Sequence, residues 1–197
     1  PVGTSAARLT VGTLLMLASL PTLGHRPREV VHYLRQSGIW LAGACVCIFQ
    51  FGYFYAAQHA GVALGALVTM GSIPLLTGIA GTLLGHRITA AWLISTIACA
   101  AGLVLLGYQG VSGGESLGVL AAIVAAIAGA AFTLTVKRVI ERGAQPDLAQ
   151  AALYIVAGGV MLGSALSTAQ FAWVTTPRGA ALALWLGVVT MRWAAPL

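Results

Sequence analysis

The chain has 197 residues, of which 59% are hydrophobic and only 7% charged. An ordinary globular domain carries roughly 25% charged residues, so the soluble classes are excluded, and a mean hydropathy of +0.93 agrees. The formal charge of +6 would suggest nucleic acid in a soluble protein, but here Lys and Arg gather in short loops between apolar runs. They therefore orient the chain in a bilayer, and no nucleic-acid partner is expected.

Seven apolar segments follow one another without strand-like alternation, which predicts an all-α membrane protein, a multi-helix bundle. The first spans 4–23, with Arg8 near one end, where its stem reaches an interface. A basic loop follows with His25, Arg26, Arg28, Glu29 and Arg35. The second segment, 38–59, opens a stretch that has no Asp, Glu, Lys or Arg from Gln36 to His86. Cys45 and Cys47 lie two residues apart on it and project about 200° from each other on a helix. With Cys99 they read as small apolar fillers, and neither a metal site nor a cofactor is expected.

The third segment, 61–85, is the one around which the rest is organised. It is long enough to cross a hydrocarbon core of roughly 30 Å. Gly61/Gly65 and Gly81/Gly85 form GxxxG pairs, which allow a second backbone to come close. Pro74 in its middle has no N–H and crowds the carbonyl of Met70, so a kink or opening is expected there. In lipid the released carbonyl needs a partner, which predicts that this helix borders protein or a polar cavity. The fourth segment, 90–108, follows Gly85-His86-Arg87. A polar loop around Gly113 and Gly114 leads to the fifth, 117–136, closed by Lys137-Arg138. The sixth covers 148–173, and Thr176-Pro177-Arg178 opens a seventh reaching Met191.

Seven basic residues (Arg26, Arg28, Arg35, Arg87, Lys137, Arg138 and Arg142) fall on one side of this pattern, against Arg8 and Arg178 on the other. The positive-inside rule then predicts loops 24–37, 86–89 and 137–147 in the cytoplasm, as in a bacterial inner membrane. Segment one (Ala7-Arg-Leu-Thr-Val-Gly-Thr-Leu-Leu-Met16) also echoes segment six (Ala152-Leu-Tyr-Ile-Val-Ala-Gly-Gly-Val-Met161). Segment two, with Leu41-Ala-Gly43, echoes segment seven, with Trp185-Leu-Gly187. An offset of five helices inserts the copies in opposite senses, a common plan of secondary transporters.

Together, Gly61-Val-Ala-Leu-Gly-Ala-Leu-Val-Thr-Met-Gly-Ser-Ile-Pro74-Leu-Leu-Thr, Leu84-Gly85-His86-Arg87-Ile-Thr and Ala101-Gly102-Leu-Val-Leu-Leu106 resemble the EamA domain of the drug/metabolite transporter superfamily. Phe54-Tyr55-Ala56-Ala57 fits the same pattern. The resemblance implies ten helices in two inverted five-helix repeats, exporting amino acids, metabolites or drugs. Residues 1–110 would be a first repeat lacking its first helix, and 111–197 the truncated start of a second. Two departures stand out. His86 replaces the family's usual glutamate, and Met191-Arg192-Trp193 interrupts an expected apolar helix.

Polar residues inside the segments are the candidate substrate contacts. Gln50, Tyr53 and Phe54 share one stripe of segment two with Ala57, offering an amide, a phenol and a stacking face. On segment three Thr69, Ser72 and the carbonyl freed by Pro74 are placed to line the same path. Thr133 and Thr135 on segment five are weaker candidates, and His59 at the outer end of segment two is the titratable one. No Asp or Glu lies within any segment, so no carboxylate proton relay is visible. The expected partners are a small-molecule substrate and the lipid bilayer, with a homodimer left open. The alternatives are a non-transporting structural subunit and an intramembrane enzyme. Against the enzyme, Ser72 lies in Gly71-Ser72-Ile73 and every histidine (25, 32, 59, 86) falls at a helix end or loop, so no Ser–His dyad forms.

Overall fold

In a computed structural model the described residues are 2–21, 24–83, 85, 89–108, 116–167 and 185. The chain is an all-α membrane protein. Its elements are α1 (Val2–Ser19), a 3-10 turn (Pro27–Glu29), α2 (Val30–Leu34), α3 (Ser37–His59), α4 (Val62–Leu83), α5 (Ala90–Tyr108), α6 (Ser116–Glu141) and α7 (Pro146–Ser167). Among the described residues, α3, α4, α6 and 146–164 of α7 are long and apolar enough to cross a membrane. Shorter apolar stretches lie in α1 (Leu9–Ser19) and α5 (Trp92–Gly102). The predicted seventh segment apart from Trp185, the loop 109–115, the His86–Arg87 departure and Met191–Trp193 lie outside the described residues.

The distribution of side chains is that of a protein solvated by lipid. On α6, Ala122, Ala125 and Ala126 are buried while Leu120, Ile123 and Ile127 are exposed. On α4, Gly65, Thr69, Gly71 and Gly81 are buried, and Val62, Met70, Ile79 and Leu83 are exposed. A soluble fold would put the bulky chains inside. In hydrocarbon no hydrophobic force drives helices together, so small residues that let backbones meet take the interfaces.

The described residues divide into two compact units. One comprises 1–47 with 135–197, the other 48–134. In the first unit α1 and α2 pack on α7. Leu9, Cys47, Ala157 and Met161 form one buried cluster. A larger one joins Met16, Leu20, Val30, Tyr33 and Ile39 to Val139, Leu148 and Ala152. The Thr13 hydroxyl lies 2.7 Å from the Leu9 carbonyl oxygen and 3.0 Å from that of Tyr154, so its single proton is shared between its own helix and α7. The order of contacts (Leu9 beside Gly158, Thr13 with Tyr154) makes α1 and α7 antiparallel. These are the two segments whose sequences echo each other.

The 24–37 stretch, expected to be a loop, is folded over the start of α7. The Gln145 amide donates to Tyr33 Oη at 3.1 Å. His25 sits 3.6 Å from Glu29 and 4.0 Å from Asp147. Asp147, in the first turn of α7, also complements the helix dipole. Lys137 and Arg138, read as ending segment five, belong to the last turns of α6, which runs on to Glu141. Lys137 and Glu141 lie 3.7 Å apart, an i,i+4 pair of a kind that extends exposed helix ends.

In the second unit α4 packs on α5. The Thr89 hydroxyl caps α5 by accepting the Trp92 amide at 3.3 Å, and the Trp92 ring then lies over Gly78, where a Cβ would collide with it. Gly65 faces the α3 backbone: a Cβ there would come 3.0 Å from the Ala57 nitrogen and 3.1 Å from the Ala56 carbonyl carbon. The GxxxG expectation is thus half right. Gly65 and Gly81 are buried, but Gly61 and Gly85 have φ of +87° and +84° and form turns at the two ends of α4.

Candidate functional site

All six residues singled out from the sequence lie in the second unit. On α3, Gln50 is 5% exposed. Among the described residues its amide has no hydrogen-bond partner. Leaving such a group unsatisfied costs about 1–3 kcal/mol. Tyr53 and Phe54 are half-buried and belong to an aromatic ladder. Phe49 and Tyr53 stack with centroids 6.2 Å apart, and Tyr53 and Phe54 meet edge to face at 5.4 Å. The Tyr53 hydroxyl also has no partner among the described residues.

The ladder continues to the other helices through a glycine. A Cβ on Gly129 of α6 would lie 2.7 Å from Ile73 Cδ1 and 3.3 Å from Phe49 Cδ2, so α3, α4 and α6 converge there. Two turns away along α6, a Cβ on Gly52 would lie 3.0 Å from both the Ala121 carbonyl oxygen and the Ala125 Cβ. The missing side chains let α3 and α6 approach closely beside the aromatic group and give Ile73 of α4 room against Gly129.

The three remaining candidates separate. Thr69 is fully buried, and its hydroxyl donates to the Ala122 carbonyl of α6 at 3.4 Å. It joins helices rather than facing a space. Ser72, half-buried, has no hydrogen-bond partner among the described residues. Pro74 is exposed beside Leu75, on the face that also carries Met70, which is 50% exposed. α4 continues as a helix through Pro74. Nearby, Thr77 donates to the Ile73 carbonyl at 2.6 Å. The structure therefore gathers Tyr53, Phe54 and, through Phe49, Ile73 and Gly129. Thr133 donates back to Gly129 at 2.9 Å, the ordinary fate of a helical threonine. His59 stacks on Tyr55 with centroids 4.1 Å apart.

Phe49 and Gly129 were missed from the sequence. Phe49 lies one residue before the Gln50 stripe, and Gly129 is one small residue in an Ala-rich run. Helical spacing gives no sign that these two meet.

If Thr69 acts as a helix joint, replacing it with valine costs about 0.6 kcal/mol, the average for a hydrogen bond between membrane helices, and at most about 2. Thermal unfolding of the detergent-solubilised protein reads this. A T69V protein with unchanged stability but altered solute handling would instead assign Thr69 to the substrate path.

Comparison with known proteins gives one informative likeness. Over 153 residues the chain is 29% identical to a protein named "Uncharacterized transporter YwfM" from Bacillus subtilis (strain 168). The match takes in 77% of this chain and 51% of that protein, so the chain spans about half the length of the curated relative it matches. No family model matches, and no solved structure matches. A transporter-like relative together with membrane-spanning helices supports a transporter.

Proposed function

We propose that this chain is part of a secondary transporter of the EamA type that exports small organic solutes, among them amino acids, metabolites or drugs. Access alternates between two oppositely inserted repeats. Gln50 supplies hydrogen bonds to the solute, Tyr53 adds a phenol and Phe54 a stacking face. Ser72 lies on the neighbouring helix, and the carbonyl left unpaired by Pro74 gives α4 a place to flex. The cytoplasmic side is the one carrying Arg26, Arg28, Arg35, Lys137, Arg138 and Arg142.

The observation that carries this reading is Gln50, a buried amide in a membrane-crossing helix with no hydrogen-bond partner among the described residues. Polar groups at membrane depth are costly, and they commonly mark a substrate route. The antiparallel contact of α1 with α7, the two echoing segments, supports the inverted plan. So does the transporter name of the Bacillus protein.

The test is counterflow in membrane vesicles carrying the complete protein that contains this chain, with isotope-labelled amino acids and cationic drugs as solutes. Saturable exchange that the empty membrane lacks is expected. If no solute exchanges, and cells carrying the protein gain no resistance, the transport reading falls.

A further inference from the structure

We infer that the first unit holds a site for the phosphate headgroup of an anionic lipid, between the start of α3 and the end of α6. A cavity of about 510 Å³ there is lined by His32, Arg35, Gln36, Ser37, Gly38 and Arg142, among others. Among the described residues no carboxylate lines it. The described carboxylates are engaged elsewhere: Glu29 and Asp147 with His25, and Glu141 with Lys137. Among the described residues neither Arg35 nor Arg142 has an ion-pair partner. Two arginines without an ion-pair partner among the described residues thus line one hollow. Ser37 and Gly38 are the first residues of α3, and their amides have no carbonyl four residues earlier in the helix. A phosphate is the ligand that such a set of donors fits.

The setting selects a lipid over a soluble anion. The apolar span of α3, long enough to cross a membrane, begins at Ser37, which puts the cavity at headgroup depth once the chain is embedded in a bilayer. Within a turn of its lining, Val31, Trp40 and Leu41 are 52%, 56% and 57% exposed, giving acyl chains an apolar surface. The Trp40 indole donates to the Leu34 carbonyl at 2.7 Å, which fixes an interfacial aromatic beside the hollow. Basic pockets between membrane helices bind anionic headgroups in this way. The inference needs only that the chain is embedded in a bilayer, and stands apart from the transport reading.

Native mass spectrometry of the complete protein, released from nanodiscs of equimolar phosphatidylcholine and phosphatidylglycerol, tests it. Wild type retains phosphatidylglycerol selectively, and R35Q/R142Q lowers that retention roughly tenfold or more, from about 1 kcal/mol per basic residue. R26Q/R28Q, which removes the same charge outside the cavity, leaves retention unchanged. Arg35 and Arg142 are exposed, so their replacement leaves packing intact, and circular dichroism checks this. Equal retention in all three proteins overturns the inference, as does equal loss in both double variants. Inorganic phosphate stabilising the protein in phosphatidylcholine alone, in a manner abolished by R35Q/R142Q, would assign the cavity to a soluble anion and also overturn it.

Discussion

Replacing Gln50 with leucine is expected to lower solute exchange by about 10- to 100-fold while leaving the protein at least as stable as wild type. The first half follows from the strength of a hydrogen bond to a charged solute, about 1.5–3 kcal/mol. The second half is the unusual one, because most core substitutions destabilise. Gln50 is buried without a partner among the described residues, so leucine removes an unsatisfied amide and loses nothing in return. Counterflow and thermal unfolding on the same preparation separate the outcomes. A Q50L protein that melts earlier, with exchange lost in step, would make Gln50 a bond between helices and not a solute ligand. Unchanged exchange would remove it from the path.

The second large effect is structural. A Cβ on Gly78 would collide with the Trp92 ring. Valine at position 78 must push the indole away, while the Thr89 hydroxyl holds the backbone amide of Trp92 at the start of α5. Overpacking of this kind costs about 1–3 kcal/mol. G78V is therefore expected to melt earlier than wild type, and W92A in the same chain to recover much of the loss, since contacting residues are strongly non-additive. If G78V melts like wild type, or if W92A and G78V simply add, α4 and α5 do not meet at this point.

The helices were legible to within a few residues wherever an apolar run ended at a turn. The predicted 38–59 is α3 at Ser37–His59, and 61–85 is α4 at Val62–Leu83. The differences share a cause: at each of these places a tertiary contact, and not local composition, decides the structure. Lys137 reads as the end of a span, yet α6 continues because its charge meets Glu141 one turn on. The basic stretch after α1 reads as loop, yet it folds because Tyr33 and Val30 join the core formed with α7. The candidate site shows the same division. That Gln50 matters is visible in the sequence, since an amide alone in a long apolar run needs explaining. That Thr69 is committed to Ala122, while Pro74 sits on the exposed face with Met70, depends on the rotation of α4. Its apolar residues run all the way round the helix, so the sequence carries no stripe from which that rotation can be read.

The account rests on α3 and α4 opening around Gln50 and Tyr53, and cysteine accessibility measures this most directly. In the complete protein with Cys45, Cys47 and Cys99 replaced, Q50C and Y53C should react with a membrane-impermeant thiol reagent and be protected by transported solute. T69C, sealed between α4 and α6, should stay unlabelled. Reaction at position 50, only 5% exposed here, requires the bundle to open. If neither 50 nor 53 ever reacts, while a cysteine placed in an exposed loop labels fully, no aqueous route passes these helices.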